Sequence, residues 1–135
     1  MKAFSWLAMM AGATLLAGCG DSGGGGTSAQ PTPGVLTVSL AAPVAGDRAL
    51  VIAVTGPAAV SDVQPATTAY TTFVGGQGTT TRVAVFGPIA GGPVLRLGVP
   101  DTRQAGQYQA AVVDAADGQN TARTNMAAYK LSVSR

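Results

Sequence analysis

Residues 48–56 read RALVIAVTG, and the fold of the chain turns on how that stretch is oriented. In an extended chain successive side chains point to opposite faces. Leu50, Ile52 and Val54 then share one side, with Ala49, Val51 and Ala53 on the other. A segment apolar on both sides is expected to be a central strand. Working outward, VLTVSL at 35–40 places Leu36, Val38 and Leu40 on one face and Thr37 and Ser39 on the other. Shorter candidates follow at 60–64 and 69–74. The turn GGQG at 75–78 leads into TTTRVAVFG at 79–87. PVLRLGV at 93–99 and GQYQAAVVDA at 106–115 continue the series. YKLSVSR at 129–135 closes it, with Tyr129, Leu131 and Val133 expected to face inward.

Pro43, Pro57, Pro65, Pro88, Pro93 and Pro100 fall at the ends of these segments, where a missing N–H costs no ladder bond. No stretch longer than about two turns follows the helical period, and residues 121–128 are the least regular. The pattern predicts an all-β fold, an antiparallel two-sheet sandwich of about eight strands with a core of Val, Leu, Ile and Ala.

The first residues follow a different logic. Met1 and Lys2 precede an uncharged, mostly Ala, Leu and Met run from Phe4 to Leu16. A charged start and a short apolar run make a secretory signal peptide, and the run is too short for a membrane span of about 20 residues. Leu16-Ala17-Gly18-Cys19 ends it, and Cys19 is the one cysteine of the chain. These four residues resemble the lipobox of bacterial lipoproteins. The resemblance implies that Leu16, Ala17 and Gly18 are read by a signal peptidase. It also implies that the Cys19 sulfur takes a diacylglyceryl group and that the freed amine is acylated, with palmitate as the expected chain. One acyl chain holds a protein only marginally, at about 0.8 kcal/mol per buried CH₂, whereas two or three retain it. The competing reading is an ordinary signal peptide with an incidental thiol. Gly20, rather than Asp, follows Cys19, which by the lipoprotein sorting rule favours the outer membrane in an organism that has two.

Residues 20–34, GDSGGGGTSAQPTPG, read as a linker with a flexible start and a stiffer Pro-Thr-Pro end. Such a tether would hold a domain roughly 20 Å from a bilayer. The expected organisation is a leader over 1–18, the acylated cysteine and linker over 19–34, and a sandwich over 35–135. The order of strand types within 35–135 resembles cohesin-like and immunoglobulin-like sandwiches, a likeness of patterning that matches no position to a binding motif.

Chemistry is sparse. The chain has no His, and all six acidic residues are Asp, so a Ser-His-Asp arrangement cannot form and proton transfer near neutrality lacks its usual carriers. Asp114, Asp117 and Asn120 in DAADGQN (114–120) are the candidate oxygen ligands for Ca²⁺, but their spacing does not fit an EF-hand loop, and Asp-Gly is a common turn dipeptide. Asp47-Arg48 after Gly46 opens a strand and also reads as a turn, and Asp101 reads as a turn cap. Arg48, Arg82, Arg96, Arg103 and Arg123 are scattered and expected to be solvated, without the cluster that nucleic acid requires. Tyr70, Phe73, Phe86, Tyr108 and Tyr129 are expected mostly in the core or at sheet edges, too few for an obvious sugar platform. No cofactor is expected apart from the lipid. The expected function is a lipid-anchored, non-catalytic module of the cell envelope, either for interaction with an envelope or extracellular protein or surface-structural. The alternative is carbohydrate binding, with or without Ca²⁺.

Overall fold

The structure, a computed structural model, describes residues 28–41, 44–76 and 78–135. The leader, the lipobox with Cys19, residues 20–27 of the linker and Pro43 lie outside the described residues.

Among the described residues eight strands form: β1 (Gly34–Ala41), β2 (Asp47–Thr55), β3 (Asp62–Pro65), β4 (Thr71–Gly75), β5 (Thr80–Phe86), β6 (Gly92–Val99), β7 (Gln109–Asp117) and β8 (Lys130–Ser134). They make two antiparallel sheets of four, ordered β3-β6-β1-β8 and β4-β5-β2-β7. The expected sandwich is therefore present, with all eight segments in place. Only β4 and β5 are consecutive neighbours in one sheet; every other connection crosses to the opposite sheet. β2 is central, between β5 and β7.

The two inner faces close on one core. Leu36, Val38 and Leu40 of β1 and Leu97 and Val99 of β6 meet Leu50, Ile52 and Val54 of β2 and Val83 and Val85 of β5, all essentially without solvent exposure. Each such side chain contributes about 1.5–3 kcal/mol by leaving water. Tyr70, Tyr108 and Tyr129 seal the core.

Three bulges interrupt the alternation. A bulge places two residues of one strand opposite one of its partner and so resets which face is buried. In β6 the pairing with β1 slips at Val38/Ser39, and Val94 and Leu95 are both buried. In β7 Val113 is the extra residue, so Val112 and Ala115 point inward while Val113 and Asp114 point out. At the start of β2 Arg48 is the extra residue, and Asp47 turns into the core. Asp47 thus opens the strand as expected, but it is 1% exposed and part of the core, where the turn reading had it on a loop.

Residues 106–107, expected to open the seventh strand, belong instead to a 3-10 helical segment, Thr102–Gln107. Asp101 caps it, accepting from the Arg103 N–H at 3.1 Å, as expected for a carboxylate at a turn. Arg103 is not simply solvated, because its guanidinium holds Asp101 at 2.8 Å. That contact keeps the Asp101 carboxyl well below the usual carboxylate range. The end of the expected linker docks on the same segment. Arg103 Nη2 donates to the Ala29 carbonyl at 2.8 Å, and the Thr102 N–H donates to the Thr32 carbonyl at 2.8 Å. Gly34 completes the fit, since a Cβ there would lie 2.7 Å from Thr102 Cγ2. Residues 121–128 hold one bridge, Ala116 to Ala122, and a single 3-10 turn, Met126–Ala128. Among the described residues no helix is long and apolar enough to cross a membrane.

Candidate functional site

The two outer faces of the sandwich differ in kind. Outside the first sheet, Thr37 pairs across from Ser134, Ser39 from Ser132, and Arg96 lies between Thr37 and Gln64. Apart from the exposed Val35, that face is polar, as a solvated sheet face is expected to be. Outside the second sheet the register sets Ala49 beside Phe86 and Ala116, Val51 beside Ala84 and Asp114, and Ala53 beside Arg82 and Ala111. Phe73 on β4 lies beside Ala84. Apart from Arg82 and Asp114, the centre of this face carries no charge.

Phe73 is 61% exposed and Phe86 44%. Their rings meet edge to face, centroids 5.8 Å apart and planes at 76°, the arrangement favoured by the ring quadrupoles. Tyr70, Tyr108 and Tyr129 are buried as expected, whereas among the described residues Phe73 and Phe86 are the exposed aromatics. Beside Phe86 a shallow groove of about 140 Å³ is lined by Ala49, Val51, Asp114 and Ala116. An outer face made of alanine, valine and phenylalanine is what RALVIAVTG specifies once a second sheet covers only one of its two apolar sides.

The other chemistry of the chain is structural. Asp47 accepts from Arg123 Nε at 2.8 Å and from the Tyr129 hydroxyl. Its backbone carbonyl accepts from the Ile89 N–H at 3.2 Å. Arg123 is therefore committed to an ion pair rather than solvated, and burial beside Asp47 pushes the Tyr129 phenol up to about 12. Among the described residues every buried side-chain polar atom has a partner. This network joins the start of β2 to the β7–β8 connection and closes that end of the core.

The DAADGQN residues are dispersed in purpose. Asp114 stands on the outer face of the second sheet and accepts from the Ala115 N–H at 2.9 Å. Asp117 Oδ1 accepts from the N–H groups of Gln119 and Thr121, both at 2.9 Å, which holds its carboxyl below the ordinary value. Asn120 takes a left-handed turn conformation, φ 63°. Among the described residues no three acidic, His or Cys side chains gather as a metal site. A wider groove of about 510 Å³ runs along the open edge past Ser61, Asp62, Val74 and Thr81. Asp62 is the one ionisable group lining it.

Fold and face together define a class: a two-sheet antiparallel β-sandwich with one polar and one apolar outer surface. No protein-family model, curated protein or solved structure matches the chain.

Proposed function

We propose that the protein is a lipid-anchored component of a bacterial cell envelope whose sandwich is a non-catalytic binding module. The observation that carries the binding half is the contrast between outer faces: Thr37, three serines and Arg96 with one exposed valine, Val35, outside the first sheet, Phe73, Phe86 and a field of alanines outside the second. Leaving such a face in water forgoes roughly 25 cal/mol per Å², and a partner recovers it. The anchor half is supported by the sequence Leu16-Ala17-Gly18-Cys19 behind its apolar run.

The docking of Ala29 and Thr32 on Arg103 and Thr102 sets where an anchored chain would leave the domain. It leaves at the end where β1 starts and β8 finishes, close to Arg135, whose Nε donates to the Thr102 carbonyl at 2.9 Å. The apolar face runs along the side of the sandwich from there, accessible to a neighbour in the plane of the membrane. With an outer-leaflet anchor the module would work among other envelope proteins. The carbohydrate alternative, with or without Ca²⁺, gains little from this geometry. Sugar rings stack on flat aromatic platforms, while Phe73 and Phe86 stand nearly perpendicular and have no polar tip to hydrogen-bond a hydroxyl.

Fractionation of cells expressing the full chain tests the anchor. The unaltered protein is expected in the membrane pellet, labelled by a palmitate analogue. Cys19→Ala should move most of it to the soluble fraction without label. Equal retention of the two forms would remove the anchor from the account.

A further inference from the structure

The apolar face carries two charges, and their positions are related to those of its largest knob and its groove. Strands sit about 4.8 Å apart and paired levels on one face about 6.8 Å apart. Arg82 on β5 lies at the level of Ala53, and Asp114 on β7 at the level of Val51. Going from Arg82 to Asp114 therefore crosses two strands and drops one level. Phe73 on β4 lies at the level of Val51, through Ala84, and Ala49 on β2 one level below. Going from Phe73 to Ala49, at the mouth of the groove, makes the same displacement, about 12 Å in each case.

Two equal, parallel displacements across one face are swapped by a single two-fold axis when they share a perpendicular bisector, and these two do. The axis runs in the plane of the face at about 35° to the strands, so the strands of two facing copies would cross at about 70°. That angle lies toward the orthogonal class of sheet packing.

We infer that this face is a self-association surface, on which a second copy of the chain seats across that axis. It rests on the binding-module reading and names its partner. In the dimer Arg82 of each copy meets Asp114 of the other, and Phe73 of each enters the partner's groove. Among the described residues neither Arg82 nor Asp114 has an opposite charge as partner in its own chain. The groove, about 140 Å³, is of the size that takes one benzene ring, roughly 150 Å³. An isologous contact of this kind makes a closed dimer and no filament.

The footprint is four strands by four levels, so about 800 Å² in total leaves water, below the roughly 1,200 Å² of stable interfaces. The dimer is accordingly weak in free solution, with a midpoint of about 10–100 µM.

Sedimentation velocity of the full chain in mild detergent, over a dilution series, tests this. The unaltered chain should show a reversible monomer–dimer equilibrium. Arg82→Asp and Asp114→Arg should each raise the dissociation midpoint about tenfold or more, through like charges facing across the axis. Combining the two should bring it back to within about threefold of the unaltered value. Phe73→Ser should raise it about tenfold or more with the thermal melt unchanged. All three sites are on the surface, so circular dichroism should report folded protein throughout. An unaltered chain that stays monomeric to about 1 mM, or a double reversal no tighter than the single ones, overturns the proposal. A monomer would remove the second copy as partner but not the face as a binding surface, which cross-linking through Phe73 in the envelope reads separately.

Discussion

Replacing Asp47 with Ala should destabilise the sandwich by about 2–4 kcal/mol, one of the largest effects of any single substitution in the chain. Asp47 is fully enclosed, and its two carboxylate oxygens serve Arg123 and Tyr129. Without them the Tyr129 hydroxyl is left in the core with no acceptor, a loss of about 1–3 kcal/mol. The Arg123 guanidinium loses its nearer counter-charge, a loss moderated because Asp117 stays 4.0 Å from Nη1 and 28% of the Arg123 side chain still reaches water. For a domain of this size the melting temperature should fall by roughly 10–25 °C in a calorimetric scan. The cost lies in stranding the partners rather than in the intrinsic worth of an ion pair. A triple exchange, Asp47→Leu with Arg123→Met and Tyr129→Phe, should therefore recover most of the loss. A single Asp47→Ala change that melts within a degree or two of the parent would mean the network does not hold that end of the core.

Ile52→Ala should cost about 3–5 kcal/mol. Ile52 is at 0% exposure on the central strand of the second sheet, between Val83 on β5 and Val112 on β7. Truncation removes about three methylene-sized groups at roughly 0.8 kcal/mol each and leaves a cavity that flanking strands cannot close without breaking register. Val35→Ala provides the contrast. It removes a comparable side chain that is 55% exposed on β1, and should change stability by no more than about 0.5 kcal/mol. Urea denaturation of the two variants, with the slope held constant, separates a packing loss from a change in the unfolded state.

The strands and their inward faces were legible wherever the period of two ran unbroken. Leu36, Val38 and Leu40, then Leu50, Ile52 and Val54, are buried as alternation requires. Legibility failed where a bulge reset the phase. Asp47 is an odd position on a strand whose buried residues are even, and only the extra residue Arg48 turns it inward. Its partners lie 76 and 82 positions away, beyond any local pattern, and Gly46-Asp47 has ordinary turn composition. Residues 106–107 failed for another reason, because a capped 3-10 segment ties down the incoming linker.

The binding face was half legible. RALVIAVTG announces two apolar sides, which fits a strand covered on both. Among the described residues only one sheet covers it, so the second apolar side faces outward. The exposure of Phe86 could have been read from its alternation with Val83 and Val85, whereas Phe73, between Thr72 and Val74, has no alternation that assigns it a face. What no local pattern supplies is the register that sets them beside the same alanines, since it depends on pairing across β4, β5 and β2. DAADGQN misled in the opposite direction. Clustered oxygens suggest a cation, but Asp117 spends its carboxylate on the N–H groups of its own turn.

Site-specific photo-cross-linking in living cells reads the central claim, that the outer face of the second sheet is where this protein is bound. A benzophenone side chain at Phe73 should give a discrete protein adduct on illumination, and the same group at Thr37, outside the first sheet, should give none. Adducts from Thr37 alone, or none from Phe73 in a chain that is folded and correctly localised, would contradict it.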